Sequence, residues 1–146
     1  MLRSVDLSKH VLGMLMLSIA LLWLINAGKP VRFDVKEVSV PEAKALIDAG
    51  AAVIDVRGPE QFQARHIPGA TLVALDELQS GVPARILALK AQPIVVYCGD
   101  GVTHGPEGTA ILNHAGFGKA VNLKPGIEGW QNAGMAIEKG QQRPVS

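Results

Sequence analysis

Two short, largely apolar runs dominate the pattern after residue 36: Ala51-Ala52-Val53-Ile54-Asp55-Val56, broken only by Asp55, and Pro93-Ile94-Val95-Val96-Tyr97. Runs of this length, rich in β-branched residues and bounded by glycine or proline, suit central strands covered on both faces. Between and around them the period changes. Residues 42–48 follow Pro41 and stop before Gly50, a helix pattern with Ser39 or Val40 at its cap and Val38 in a short strand or arm before it. Pro59–Ala64 reads as a short helix, His66–Ala70 as a turn and Thr71–Val73 as a strand; residues 82–90 carry apolar side chains at helical spacing. A helix over Glu107–His114 ends at Ala115-Gly116, Ala120–Leu123 forms a further strand, and Ile127–Asn132 a last short helix. Strands alternating with helices predict an α/β fold: a mainly parallel central sheet with helices on both faces. Sites in such folds form at the carboxyl ends of strands, where Asp55 and Cys98 both fall.

The amino-terminal pattern is different. Residues 11–25 contain no charge, and Gly13 and Ser18 are the only departures from apolar side chains of substantial size or alanine. With its flank the run reaches about 17 residues, the lower limit for crossing a hydrocarbon core of roughly 30 Å. The expectation is a hydrophobic helix anchoring the chain in a lipid bilayer through residues 8–27. A cleaved signal segment, leaving a secreted or periplasmic domain, and a buried or partner-covered helix are the alternatives. Arg3 and Lys9 stand before the run and Lys29, Arg32 and Lys36 after it, so the distribution of basic residues selects neither side of the membrane. The resulting organisation is an anchor or signal segment with flanks over 1–30, a linker over 31–35, one folded domain over 36–140 and a flexible tail over 141–146.

The remaining composition narrows the function. Fourteen basic against thirteen acidic residues leave a formal charge of +1, and three Phe, one Tyr and two Trp offer no stacking platform. No basic stripe is present for a phosphate backbone, so nucleic acid is not an expected partner. The single cysteine makes no internal disulfide. The histidines show no metal-ligand spacing with it, and neither a metal nor a cofactor is expected.

Cys98 opens the segment Cys98-Gly99-Asp100-Gly101-Val102-Thr103-His104-Gly105, between a buried strand and a helix. A strand running through a glycine-rich turn into a helix points several backbone N–H groups inward, a nest that favours an anion. At its edge the same groups favour thiolate over thiol and would stabilise a persulfide anion. A cysteine at the end of a buried strand is equally a small hydrophobe, and these glycines an ordinary connection; spacing leaves both readings open. An inward-turned Asp100 carboxylate would oppose thiolate formation, and Asp100 is expected to face solvent. Asp55 and Arg57, two apart at a strand end, point the same way as a loop-fixing ion pair. His66 is expected to anchor its loop by a hydrogen bond, and Phe117 and Trp130 to close the core.

These motifs together resemble the single-domain rhodanese homology family. Asp55-Val56-Arg57 with Glu60, Phe62 and His66-Ile67-Pro68-Gly69-Ala70 is similar to its amino-terminal signature. Ile94 to Cys98 is similar to the strand delivering its catalytic cysteine. Gly116-Phe117, Val121-Asn122-Leu123, Gly126-Ile127 and Trp130 are similar to its carboxy-terminal signature. The similarity spans residues 36–138. It implies a sulfurtransferase or persulfide carrier: a Cys98 nucleophile taking sulfane sulfur from a small donor such as thiosulfate, a persulfide or a polysulfide, and passing it to a thiol or other thiophilic acceptor. Gly99, Asp100, Gly101, Val102, Thr103 and His104 would form the cradle, with Asp55, Arg57 and His66 in support. The loop is atypical: Thr103 stands where many relatives carry arginine, His104 where they carry a small residue, and the segment is one residue longer. A catalytically weak binding or scaffold module, and a redox-sensing thiol, are the alternative readings. A phosphatase of the related fold needs an arginine closing the loop, and none lies between Cys98 and Gln131.

Overall fold

The computed structural model describes residues 7–26 and 31–141, and divides the chain into two units at Arg32. The first contains one helix, α1 (Leu7–Asn26), of 20 residues. Its first turns include Lys9 and His10 and it ends on Asn26, so the uncharged apolar stretch of residues 11–25 rises only about 22 Å, short of a core of roughly 30 Å. Among the described residues no helix is long and apolar enough to cross a membrane. The hydrophobic helix is present over Leu7–Asn26, but the bilayer anchor expected through residues 8–27 is not supported. Most of the flanks and tail, residues 1–6, 27–30 and 142–146, lie outside the described residues.

The second unit holds a five-stranded sheet in the order β1-β5-β4-β2-β3, with β1 Glu37–Val38, β2 Ala52–Asp55, β3 Thr71–Leu72, β4 Ile94–Tyr97 and β5 Ala120–Leu123. Every neighbouring pair is parallel, with Ile54 beside Val96 and Val95 beside Val121. All four residues of β4 are buried. The alternation of side chains along each strand divides the core in two. Val53, Val95, Tyr97, Val121 and Leu123 pack with Val40, Ala43, Phe62, Ile67, Ile127 and Trp130 on one face. Ile54, Val56, Ile94, Val96, Cys98 and Ala120 pack with Leu78, Ile86, Leu112 and Phe117 on the other. The first face is covered by α2 (Val40–Asp48), α3 (Pro59–Ala64) and α6 (Gly126–Asn132), the second by α4 (Leu75–Ser80), a 3-10 helix (Ala84–Ala91) and α5 (Gly105–His114).

Local chemistry accounts for the boundaries. Both the N–H and the hydroxyl of Ser39 donate to the Glu42 carboxylate at 2.7 Å, fixing the start of α2, and Gly50 leaves it at φ +94°. Two elements differ from the pattern reading. The segment at 82–90 is a 3-10 rather than an α-helix, since Ile86 alone is fully buried in it and no continuous apolar face holds the wider turn. Residues 75–80 form α4, whose six residues and single fully buried side chain, Leu78, are too few to show a period. The chain returns at Glu138, which exchanges backbone hydrogen bonds of 2.8 Å with His66.

Among the described residues, neither apolar cluster contains one before Val38. Removing residues 1–32 is thus expected to leave the near-ultraviolet circular dichroism and melting temperature of the domain unchanged; a lowered melting temperature would show that α1 contributes to the core.

Candidate active site

Parallel pairing brings the carboxyl ends of β2, β4 and β5 to one edge. Val56 N–H donates to the Tyr97 carbonyl at 3.0 Å, so the residues leaving β2 and β4 run side by side. Cys98 follows Tyr97 on the Val96 face of the sheet and is 1% exposed. The loop after it is tied down from two directions. Ile127 and Glu128 N–H groups donate to the Cys98 and Gly99 carbonyls at 3.0 and 3.1 Å, and buried Asn122 Nδ2 donates to the Gly101 carbonyl at 2.8 Å. Gly101 stands at φ +73°, and a Cβ there would lie 2.6 Å from the Leu123 oxygen and 2.7 Å from Gly126 N. A Cβ on Gly105 would overlap the Asn122 amide and lie 3.4 Å from Cys98 Sγ, so the first residue of α5 approaches the sulfur closely only because it is glycine.

The hydrogen bonds at the sulfur are those of a thiol between a donor and an acceptor. Gly101 N–H donates to Sγ at 3.2 Å, and Sγ donates to Asp100 Oδ1 at 3.4 Å. The same Oδ1 accepts from Val102 N–H at 2.8 Å and Thr103 N–H at 2.9 Å, while Thr103 Oγ1 donates to Oδ2. The Thr103 hydroxyl and backbone, then Val102 N–H, hold the Asp100 carboxyl well below the usual carboxylate range, so it is ionised at any working pH. The expectation that Asp100 faces solvent is corrected on this point: the residue is exposed, but its carboxylate turns onto the loop because unpaired N–H groups are a better-organised partner than water.

A pocket of about 200 Å³ opens over Cys98, lined on the loop side by Gly99, Asp100, Thr103 and His104. Arg57, Gln61 and Glu128 form its other walls. Arg57 is 6% exposed, and its guanidinium grips Asp55 through Nε at 3.0 Å and Nη2 at 2.7 Å while Nη2 also donates to the Arg65 carbonyl at 2.7 Å. Beside it, burial and then the Asp55 carboxylate push the Tyr97 phenol well above its ordinary pKa, leaving it neutral. Among the described residues no group of three or more His, Cys, Asp or Glu gathers as a metal site.

The profile of the Rhodanese-like domain matches residues 39–133, from the cap of α2 to the end of α6. The chain belongs to the rhodanese-like family. It is 28% identical over 119 residues to the uncharacterized protein YibN of Escherichia coli, covering 81% of this chain and 82% of that protein. Over 99 residues it is 29% identical to the thiosulfate sulfurtransferase GlpE of Stutzerimonas stutzeri, covering 68% of this chain and 87% of the relative. The structure of a human single-domain sulfurtransferase superposes with a TM-score of 0.56 at 29% identity, covering 66% of this chain and 95% of that one.

Within this rhodanese-like domain, Cys98, Gly99, Asp100, Thr103 and His104 meet at the pocket, and Arg57 joins them as a wall. Gly101 is buried behind the sulfur, and the Val102 side chain is 62% exposed. Asp55 is fully buried beneath Arg57. His66 lies away from the pocket lining, its ring stacked on Phe62 at 3.9 Å and Nδ1 2.9 Å from the Phe62 carbonyl. The residue reading passed over Asn122, Gln61 and Glu128 as site residues. Asn122 carried a signal, as the lone polar residue of an otherwise apolar strand. Glu128 carried a weaker one, an acidic residue in the first turn of the helix after β5.

Proposed function

We propose that this domain is a sulfurtransferase or persulfide carrier, with Cys98 as the residue that holds the transferred sulfur. The observation carrying this reading is the Gly101 N–H aimed at Cys98 Sγ from 3.2 Å, at the floor of a pocket open to a small molecule. That N–H lowers the cost of negative charge on the sulfur during attack. The thiolate takes the outer sulfur of a donor; the donor's S–S bond breaks, its electron pair leaves with the departing group, and a new S–S bond forms at Cys98. A thiol acceptor then attacks that outer sulfur and regenerates the Cys98 thiolate. Relatives bearing the name sulfurtransferase support the reading. The cradle loop, Gly99 to His104, supplies the donors, while Asp55 and Arg57 hold the pocket wall and His66 its neighbouring turn.

Intact-mass measurement of the whole chain after exposure to sulfane donors tests it. The expected result is a gain of one sulfur atom, removed by dithiothreitol and missing from Cys98→Ala. Failure of thiosulfate, polysulfide and cysteine persulfide alike to add sulfur at Cys98 would overturn it in favour of a binding module.

A further inference from the structure

Three of the cradle's donors are already occupied by the chain itself. Asp100 Oδ1 takes the Val102 and Thr103 N–H groups, at 2.8 and 2.9 Å, and Oδ2 takes the Thr103 hydroxyl, so of the loop donors described above only Gly101 N–H serves the sulfur. A second carboxylate stands on the facing wall: Glu128 Oε1 is 3.6 Å from where a Cβ on Gly99 would lie. Among the described residues, Arg57 is the one permanently charged cation lining the pocket, and it is engaged by Asp55 and the Arg65 carbonyl. An incoming dianion therefore meets fixed negative charge, and finds the Val102 and Thr103 N–H groups and the Arg57 guanidinium already engaged.

We infer that Asp100 is the specificity-determining residue of the Cys98 site: its carboxylate holds the donors that the charged end of an anionic substrate needs, so the site takes sulfur from alkyl persulfides in preference to thiosulfate. The inference rests on the sulfur-transfer reading and adds the donor class to it. With an alkyl persulfide, R–S–SH, the Cys98 thiolate attacks the outer sulfur. The new Sγ–S bond forms as the R–S–S–H sulfur–sulfur bond breaks, and the electron pair leaves on R–S⁻, which takes up the proton lost by Cys98. The balance is Cys98–SH plus R–SSH giving Cys98–SSH plus R–SH, with no external oxidant or reductant. Thiosulfate transfers the same sulfur but releases sulfite, whose charge must develop against Asp100 and Glu128. Because the Asp100 carboxyl is held well below its ordinary pKa, this discrimination does not relax at mildly acid pH.

The test compares loading of the full chain by thiosulfate and by cysteine persulfide in wild type, Asp100→Asn and Asp100→Ala, each checked for an unchanged melting temperature. Asparagine keeps the acceptor oxygen without the charge; alanine also frees the N–H groups. The expected result is a wild type that loads faster from cysteine persulfide, and a thiosulfate kcat/KM raised about tenfold in Asp100→Ala and by a smaller factor in Asp100→Asn, through KM. The ratio of thiosulfate to persulfide kcat/KM should rise in both variants whatever change the two donors share, a donor-dependent split that a general loosening of the loop does not produce. Loading by cysteine persulfide with thiosulfate kinetics unchanged in both variants overturns the inference and leaves the sulfur-transfer reading standing. A wild type that uses thiosulfate as well as the persulfide does the same. Absence of sulfur on Cys98 from either donor overturns both. Should alanine at position 100 unfold the loop, Asp100→Asn alone decides, since it retains the acceptor geometry.

Discussion

Replacing Arg57 with alanine is expected to cost about 3–5 kcal/mol of folding stability, the range for removing one partner of a buried ion pair. The Asp55 carboxylate is fully buried and receives two guanidinium bonds to Oδ2, at 3.2 and 2.7 Å, and one to Oδ1 at 3.0 Å. Without the guanidinium, Asp55 keeps the backbone N–H of residue 57 at 2.9 Å and the neighbouring Tyr97 phenol, a poor return for a charge out of water. The Arg65 carbonyl loses its donor as well, loosening the end of α3. For a domain of this size the loss corresponds to a melting temperature lower by roughly 10–20 °C. Arg57→Lys keeps a charge but not the fork, and should fall between wild type and alanine. Well below the new melting temperature, sulfur loading should survive, because the pair holds the wall and does not touch Sγ. An unchanged melting temperature with loading abolished would reverse that assignment.

The second large effect is expected at Gly101, where the constraint is steric. Alanine at φ +73° costs about 1–2 kcal/mol for the left-handed backbone alone. Its Cβ would also lie 2.6 Å from the Leu123 oxygen and 2.7 Å from Gly126 N, backbone atoms with no rotamer to yield. Relief requires the loop to back away from β5 and α6, which stretches the Asn122 bond to the Gly101 carbonyl and withdraws the N–H at Sγ. Losing a hydrogen bond to a charged sulfur, worth about 1.5–3 kcal/mol, slows loading by roughly 10- to 100-fold. Gly118→Ala is the matched control, since a Cβ there meets nothing within 4 Å and φ is not positive. Calorimetry together with loading kinetics on both variants separates the cases. Equal behaviour of Gly101→Ala and Gly118→Ala would mean that the loop's contact with α6 has no part in the chemistry.

Much of the scaffold was legible because its signals are local. A buried parallel strand must be apolar on both faces, and β2 and β4 appear as continuous runs whatever they pair with. Cys98 stood out for the same reason: the only cysteine, at a strand end, before glycines. Where signals were short the reading missed, as at α4, or took the wrong pitch, as at the 3-10 helix. At the amino terminus, hydropathy placed the helix to within one residue at each end, 8–27 against α1 Leu7–Asn26.

What the sequence by itself determined is the alternation of strands and helices, the edge at which the pocket lies and the cysteine it presents, since each follows from chemistry within a few residues. Only the tertiary structure decided the state of the cradle. Asp100 flanked by glycines has two sets of partners, water or the loop's own N–H groups, and the local sequence is the same for both. The choice turns on the closure of Gly101 against Leu123 and Gly126 and on Asn122 holding its carbonyl, which aim the Val102 and Thr103 N–H groups at the carboxylate. The walls of the pocket have the same origin: Gln61 and Glu128 come to Cys98 from separate helices, because three parallel strands end at one edge.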